Sequence, residues 1–356
     1  MRHYSIACIP GDGIGPEVIE AGKLVLQAAA ELDGGFRLQF DGFPWGCEYY
    51  LQHGEMMPAD GLKILEGHDA IYLGAVGFPT VPDHISLWGL LIPIRQGFDQ
   101  YVNLRPIRLF PGVSCPLKDK GPEDIDFVCV RENSEGEYAG VGGRLHKGTP
   151  DEVALQTSVF TRKGVERVMR YSFDLAMRQE RKELVSATKS NALNYSMVFW
   201  DEVFWSLAKD YPEVKASQWH ADALSAHFLR RPESFSVVVA SNLFGDILTD
   251  LAGALQGSLG MPAGGNINPE KRYPSMFEPI HGSAPKYAGK GIANPIAAIW
   301  SGAMMLDFLG EKAANDMIMQ AMMAVTREGR VLPRDLGGSA STAQVADEIA
   351  AKLKVG

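Results

Sequence analysis

The sequence predicts an α/β fold with a largely parallel sheet, and three observations carry that expectation. Short apolar runs recur along the chain and end in glycines or polar turns. Stretches with apolar residues at helical spacing lie between them, which is the alternation that builds βαβ units. The length, 356 residues, suits about two domains.

The elements follow in order. Ile6 to Ile9 reads as a strand, Gly11-Asp-Gly-Ile-Gly15 as a turn, and Pro16 fits the first position of a helix. Val18, Ala21, Val25, Ala29 and Leu32 then recur at helical spacing. Further strands are predicted from Asp69 to Gly77, Ile125 to Val130, Lys182 to Thr188 and Ser236 to Ser241. Helices are expected from Arg167 to Met177 and from Met197 to Lys209. The glycine-rich stretch from Gly140 to Phe160 breaks this rhythm and reads as an antiparallel arm outside the main sheet.

Hydrophobic residues at 46% and charged residues at 22% exclude a disordered chain. Lysines and arginines number 34 against 43 acids, a net charge of −9 with no clustered basic block. Nucleic acid and membrane surfaces are therefore not expected partners. No apolar run reaches the roughly 18 residues of a membrane span, and the apolar N-terminal run is too short for a signal peptide. Cys8, Cys47, Cys115 and Cys129 show no CxxC spacing and read as reduced thiols in a cytoplasmic protein.

Several residues invite chemistry, each with a plainer alternative. Gly11, Gly13 and Gly15 suggest a nucleotide loop, but Pro16 occupies the place of the last glycine of GxGxxG, so a tight turn competes. Asp246 and Asp250 stand at i and i+4 on one helix face, where like charges repel unless a cation lies between them. A hard divalent ion, Mg²⁺ or Mn²⁺, is one answer, and a solvated helix edge is the other. Arg95, Arg105 and Arg131 sit where the chain is expected to turn, and their convergence would hold a dicarboxylic acid. Alternatively each forms an ordinary ion pair, with Glu132, Glu135 and Glu137 on hand to neutralise Arg131. Lys189 follows a strand end, where α/β sheets bind ligands, although most such lysines are merely exposed. His281 is an isolated loop histidine.

Six ordered motifs, from residue 5 to about 350, resemble the β-decarboxylating dehydrogenases, the isocitrate/isopropylmalate dehydrogenase-like family. They are Ile9-Pro-Gly-Asp-Gly-Ile-Gly-Pro-Glu17, Asn103-Leu-Arg-Pro106, Val130-Arg-Glu-Asn-Ser-Glu-Gly-Glu-Tyr138, Thr188-Lys-Ser-Asn191, Asn242-Leu-Phe-Gly-Asp-Ile-Leu-Thr-Asp250 and Glu278-Pro-Ile-His-Gly-Ser-Ala-Pro285. The resemblance implies a non-Rossmann α/β fold of two domains around a central cleft. Residues 1–100 and 257–356 would form a discontinuous nucleotide-binding domain. Residues 101–256 would bind substrate and metal and form a homodimer, with the arm at about 139–160.

Site residues carry over in the same way. Arg95, Arg105 and Arg131 would meet the carboxylates of a 2-hydroxy dicarboxylate. Asp246 and Asp250, with Asp222 of the partner subunit, would hold Mg²⁺ or Mn²⁺, and a monovalent cation such as K⁺ is a further expected cofactor. Lys189, also from the partner subunit, would take the hydroxyl proton as hydride leaves C2. Tyr138 would protonate C3 after CO₂ departs. Asp246→Asn would then abolish most activity and leave the fold intact. Ile14, Glu278, His281, Gly282, Ser283, Ala284, Lys286, Tyr287, Asn294 and Arg334 would line the NAD or NADP site. Lys286 and Tyr287 stand where NADP-dependent isocitrate enzymes contact the 2′-phosphate and NAD-using members carry an aspartate.

The segment before Arg95 implies the substrate. Isocitrate enzymes place serine and asparagine at Gly89 and Leu91, and isopropylmalate enzymes place glutamate at Trp88. Pro82-Asp-His-Ile-Ser-Leu-Trp-Gly89 resembles the tartrate/D-malate branch, where tryptophan would shorten the pocket to fit hydrogen or hydroxyl on C3. The Leu90-Leu-Ile92 run keeps 3-isopropylmalate as a rival. A non-catalytic regulatory subunit is disfavoured because Lys189, Tyr138 and all three aspartates are present. Pro93, inside this predicted helix, has no explanation in the sequence beyond a kink.

Overall fold

The computed structural model describes residues 1–354, which divide into two compact units. A terminal unit comprises Met1–Gln100, Arg108–Ile125 and the chain from Gly253 onward; a middle unit comprises Tyr101–Ile107 and Asp126–Ala252. Residues 108–125 thus join the terminal unit rather than the middle segment.

In chain order the elements are β1 (Arg2–Gly11), α1 (Gly15–Asp33), β2 (Phe36–Gly42), α2 (Cys47–His53), α3 (Gly61–Leu65), β3 (Ala70–Ala75) and α4 (Asp83–Ser86). A π-helical segment, Leu87–Leu91, leads into α5 (Ile92–Gly97). Next come β4 (Val102–Arg108), β5 (Asp126–Glu132), β6 (Gly136–Leu145), β7 (Val153–Val159), α6 (Arg162–Arg178), β8 (Glu183–Thr188), α7 (Ser196–Ala208), β9 (Lys215–His220), α8 (Ala221–Arg230), β10 (Val237–Ala240) and α9 (Asn242–Ala254). The chain ends with β11 (Ala263–Ile267), β12 (Ser275–Pro279), α10 (Ile296–Leu309), α11 (Lys312–Glu328) and α12 (Thr342–Ala351).

In the terminal unit the strand order is β2-β1-β3-β12-β11. Every described pairing there is parallel except β11 with β12. β3 is buried along its whole length, as a strand covered on both faces should be. Ile71, Leu73, Ile9, Ile94 and Met276 form the centre of one apolar cluster. Helix α1 begins with Pro16 in its first turn and ends at Gly34 in the left-handed region, the expected asymmetry of helix ends.

In the middle unit the order is β4-β5-β10-β8-β9, with β5, β10, β8 and β9 successively parallel. Phe127, Phe228 and Phe235 pack with ring centroids 5.0–5.8 Å apart. The buried Trp200 indole donates to Ser186 Oγ at 2.9 Å. The expected arm is present as the antiparallel pair β6 and β7, which forms its own two-stranded sheet.

Cys8, Cys47 and Cys129 are buried, and loss of water around each thiol raises its pKa from the ordinary value to about 12. Cys115 is partly exposed. A thiol reagent at pH 8 is therefore expected to modify one cysteine in the native protein and four after denaturation. Rapid modification of two or more in the native state would contradict this core.

Candidate active site

The arginines are not at turns, contrary to the sequence reading. Arg105 lies inside β4, Arg131 inside β5 and Arg95 in α5, and all three are buried. A buried guanidinium must be paired, and each one is. Arg131 Nη1 donates to Asp246 Oδ1, while its Nε and Nη2 donate to Asn242 Oδ1 at 3.1 and 2.8 Å. Arg105 Nη2 reaches the same Asp246 oxygen at 3.3 Å, and its Nη1 lies 3.9 Å from Asp250 Oδ1. Asn103 Oδ1 accepts from its Nε and Thr249 Oγ1 from its Nη1. Tyr138 donates its hydroxyl to Asp246 Oδ2 at 3.1 Å, beneath the Arg131 guanidinium carbon 5.3 Å from its ring.

Asp246 is thus the meeting point of two arginines and the tyrosine. Two of the three expected neutralisers of Arg131 are engaged elsewhere, and Glu137 keeps one carboxylate oxygen buried without a hydrogen-bond partner. Glu132 accepts from Ser134 and from the Glu135 backbone, and Glu135 accepts from Thr161. Arg105 reaches both Asp246 and Asp250 and so offsets part of their i, i+4 repulsion. Asp250 still titrates above the ordinary aspartate range, through loss of water and then through the Asp246 charge. The two carboxylates offer hard oxygen donors on one helix face, a chemistry that fits Mg²⁺ or Mn²⁺. Among the described residues no group of three acidic, histidine or cysteine side chains is poised as a metal cage.

Lys189 and Asp222, both assigned by resemblance to the neighbouring subunit's site, pair with each other at 2.9 Å. The hydrogen bond from Lys189 holds Asp222 below the ordinary aspartate range. The structure therefore groups Tyr138 with the Asp246 cluster and Lys189 with Asp222.

In the terminal unit, Ile14, His281, Gly282, Ala284, Tyr287, Asn294 and Arg334 line a cavity of about 550 Å³. Gly13 has φ 60°, and a Cβ there would sit 2.0 Å from Ser283 O, so the glycine turn presses directly on the His281 loop. Ile14 N–H donates to that same carbonyl at 2.8 Å. Burial lowers the His281 pKa, and its Nε2 is a buried atom with no partner on this wall. An orphaned polar atom beside apolar Ile14, Leu259 and Ile292 fits a nucleotide base and ribose.

Three residues depart from the nucleotide set, the first being Ser283, whose hydroxyl donates to Gly77 O at 2.6 Å, away from this lining. Lys286 is not on the lining; its Nζ rests over the Tyr287 ring at 4.7 Å. Glu278 accepts from Arg95 at 2.8 Å and from Asn266 at 2.7 Å. Sequence reasoning missed Asp335, which lines the cavity and accepts from Asn294 at 2.9 Å, although its neighbour Arg334 was noted. It also missed Asp12, whose buried carboxylate accepts from Cys47 and Gly77 N–H at 2.8 Å each and so shapes the turn.

The segment before Arg95 contains the answer to Pro93. The π-helical turn lets Ile92 N–H donate to Leu87 O, one residue further back than in an α-helix, and Pro93 follows in the first turn of α5. The wider turn gives room where an α-helix would clash with the proline ring. Trp88 on this segment is 41% exposed, Leu91 packs against the apolar cluster, and Gly89 faces Met56.

A family model described as isocitrate/isopropylmalate dehydrogenase matches residues 5–349. The chain belongs to the isocitrate/isopropylmalate dehydrogenase family. It is 57% identical over 356 residues to the D-malate dehydrogenase (decarboxylating) of Escherichia coli (strain K12), covering 98% of each chain. It is 53% identical over 355 residues to a probable tartrate dehydrogenase/decarboxylase of Bacillus subtilis (strain 168), covering 99% of each. The crystal structure of isocitrate dehydrogenase from Methylococcus capsulatus superposes with a TM-score of 0.88 at 35% identity, over 98% of this chain and 99% of that one.

The Asp246 cluster adds a stability prediction to the expectation of an intact fold after Asp246→Asn. That substitution leaves two buried arginines short of a charged partner and is expected to cost ~1–3 kcal/mol. Asp250→Asn, on a side chain 74% exposed, should change little. Urea unfolding in the presence of chelator measures both, and equal losses would refute the assignment of Asp246 as the shared partner.

Proposed function

We propose that this chain oxidises a (2R)-hydroxy dicarboxylate, D-malate or tartrate, with NAD(P)⁺ and releases its β-carboxylate as CO₂. The observation that carries this reading is the convergence of Arg105, Arg131 and Tyr138 on Asp246, beside Asp250. The relatives named for D-malate and tartrate support the substrate class.

The chain's own groups divide the work. Arg95, Arg105 and Arg131 bind the substrate carboxylates through guanidinium forks. Lys189 accepts the 2-hydroxyl proton, and Tyr138 delivers a proton to C3. Asp246, Asp250 and the partner subunit's Asp222 would hold Mg²⁺ or Mn²⁺, which supplies Lewis-acid stabilisation of the oxygens when bound. Lys189 and Asp222, paired as they are, would be donated together in a homodimer. The exposed apolar side chains Leu145 and Leu155 on the arm, with Tyr195 and Trp205, support such an interface. No helix among the described residues is long and apolar enough to cross a membrane.

A kcat/KM panel of D-malate, the tartrates, 3-isopropylmalate and isocitrate, with NAD or NADP and with or without chelator, tests the reading. D-malate or a tartrate is expected to lead, and chelator to abolish turnover. Dominance of 3-isopropylmalate, or full turnover in chelator, would overturn the substrate or the metal assignment respectively.

Trp88 is assigned to selecting the C3 substituent. Trp88→Ala is expected to shift kcat/KM from D-malate toward alkyl-substituted malates by ~1–3 kcal/mol of discrimination. An unchanged ratio would move the selection to another residue.

Lys286 and Arg334 are assigned to the 2′-phosphate of NADP, with Lys286 Nζ over the ring of Tyr287, which lines the cavity. A phosphate about 4 Å from one cation gains roughly 1–4 kcal/mol, depending on local dielectric. NADP use should at least match NAD use, and Lys286→Asp should swing the ratio toward NAD. Wild-type preference for NAD beyond about tenfold would refute this contact.

A further inference from the structure

One buried side chain of the middle unit touches the groups assigned above and has no role so far. Asn242, the first residue of α9, is 3% exposed. Its Oδ1 accepts the Nε and Nη2 edge of Arg131. Its Nδ2 donates to Glu135 O at 3.0 Å, just before Gly136 begins the strand that carries Tyr138. The two ends of an amide differ, so these bonds together fix its orientation.

The rest of the first turn of α9 is fitted to the same arginine. A Cβ on Gly245 would lie 2.6 Å from Arg131 Cγ, so only glycine lets the helix rest on the arginine stem. Asp246 then takes Nη1. The guanidinium is held on one edge by a neutral acceptor and on the other by a carboxylate. A second carboxylate at position 242 would cancel the charge that a substrate carboxylate needs, and it would face the Glu135 carbonyl without a donor.

We propose that Asn242 is a positioning residue that fixes the plane of the Arg131 guanidinium and ties it to the strand bearing Tyr138. This rests on the reading in which Arg131 binds a substrate carboxylate and Tyr138 delivers a proton. Asn242→Ala is expected to raise the KM of the hydroxy dicarboxylate about tenfold and lower kcat about tenfold, with the KM of the nicotinamide cofactor unchanged. Because Asn242 acts through its two partners, its KM effect should vanish on an Arg131→Lys background and its kcat effect on a Tyr138→Phe background. Effects that multiply in the double variants, or single-variant constants within twofold of wild type, overturn the proposal.

Should Asn242→Ala fail to fold, the isosteric Asn242→Asp keeps the shape and is expected to raise the substrate KM at least tenfold; a KM within twofold of wild type overturns the proposal. The crystal structure of a folded variant supplies a readout free of turnover. An Arg131 guanidinium and Tyr138 strand unmoved in Asn242→Ala overturn the proposal, whereas displacement supports it. Wild-type enzyme inactive on D-malate and the tartrates overturns the substrate reading alone.

Discussion

The middle unit is organised around the ion pair between Arg131 and Asp246. Arg131 is 2% exposed, and a guanidinium so far from water is tolerable only with a carboxylate and further acceptors in place. Meeting that requirement brings β5 and α9 together. Arg105 on β4 reaches the same carboxylate, and Tyr138 on β6 closes on its other oxygen. Three strands, β4, β5 and β6, are thus tied to one aspartate on α9, and this cluster of charges is assembled as a condition of folding.

The terminal unit solves a different problem, the close approach of backbone to backbone. Its glycine turn leans on the His281 loop through Gly13, and the carboxylate of Asp12 collects the amides of Cys47 and Gly77. The turn is therefore structural and also walls the cavity through Ile14. The two readings offered by the glycine motif, a tight turn and a ligand loop, are compatible.

Much of this was legible in the chain. The apolar strands β1, β3, β5, β8 and β10 announce themselves, because buried parallel strands read as continuous Val, Ile and Leu runs. β4, β11 and β12 do not: Pro106 interrupts the first, two glycines dilute the second, and Pro279 ends the third. The spacing of Asp246 and Asp250 left a divalent ion and a solvated helix edge as alternatives, and an arginine neighbour could not be read. Arg105 lies 141 residues before Asp246, and no local pattern joins them. Asp335 and Asp12 stayed hidden because an acid beside a turn looks ordinary until its hydrogen-bond partners are in view.

The π-helical turn before Pro93 sets how Trp88 and Arg95 bear on one another. Such a turn holds one residue more than an α-helical turn, so it offsets the angular phase of what precedes it by about 100°. Trp88 lies inside that turn and Arg95 follows it along one nearly continuous helical run. Their relative bearing is therefore a property of the backbone count, separate from the identity of either side chain. A single-residue deletion here would leave both residues in the chain and aim one of them elsewhere, so the length of this short segment fixes their geometry as much as their identities do.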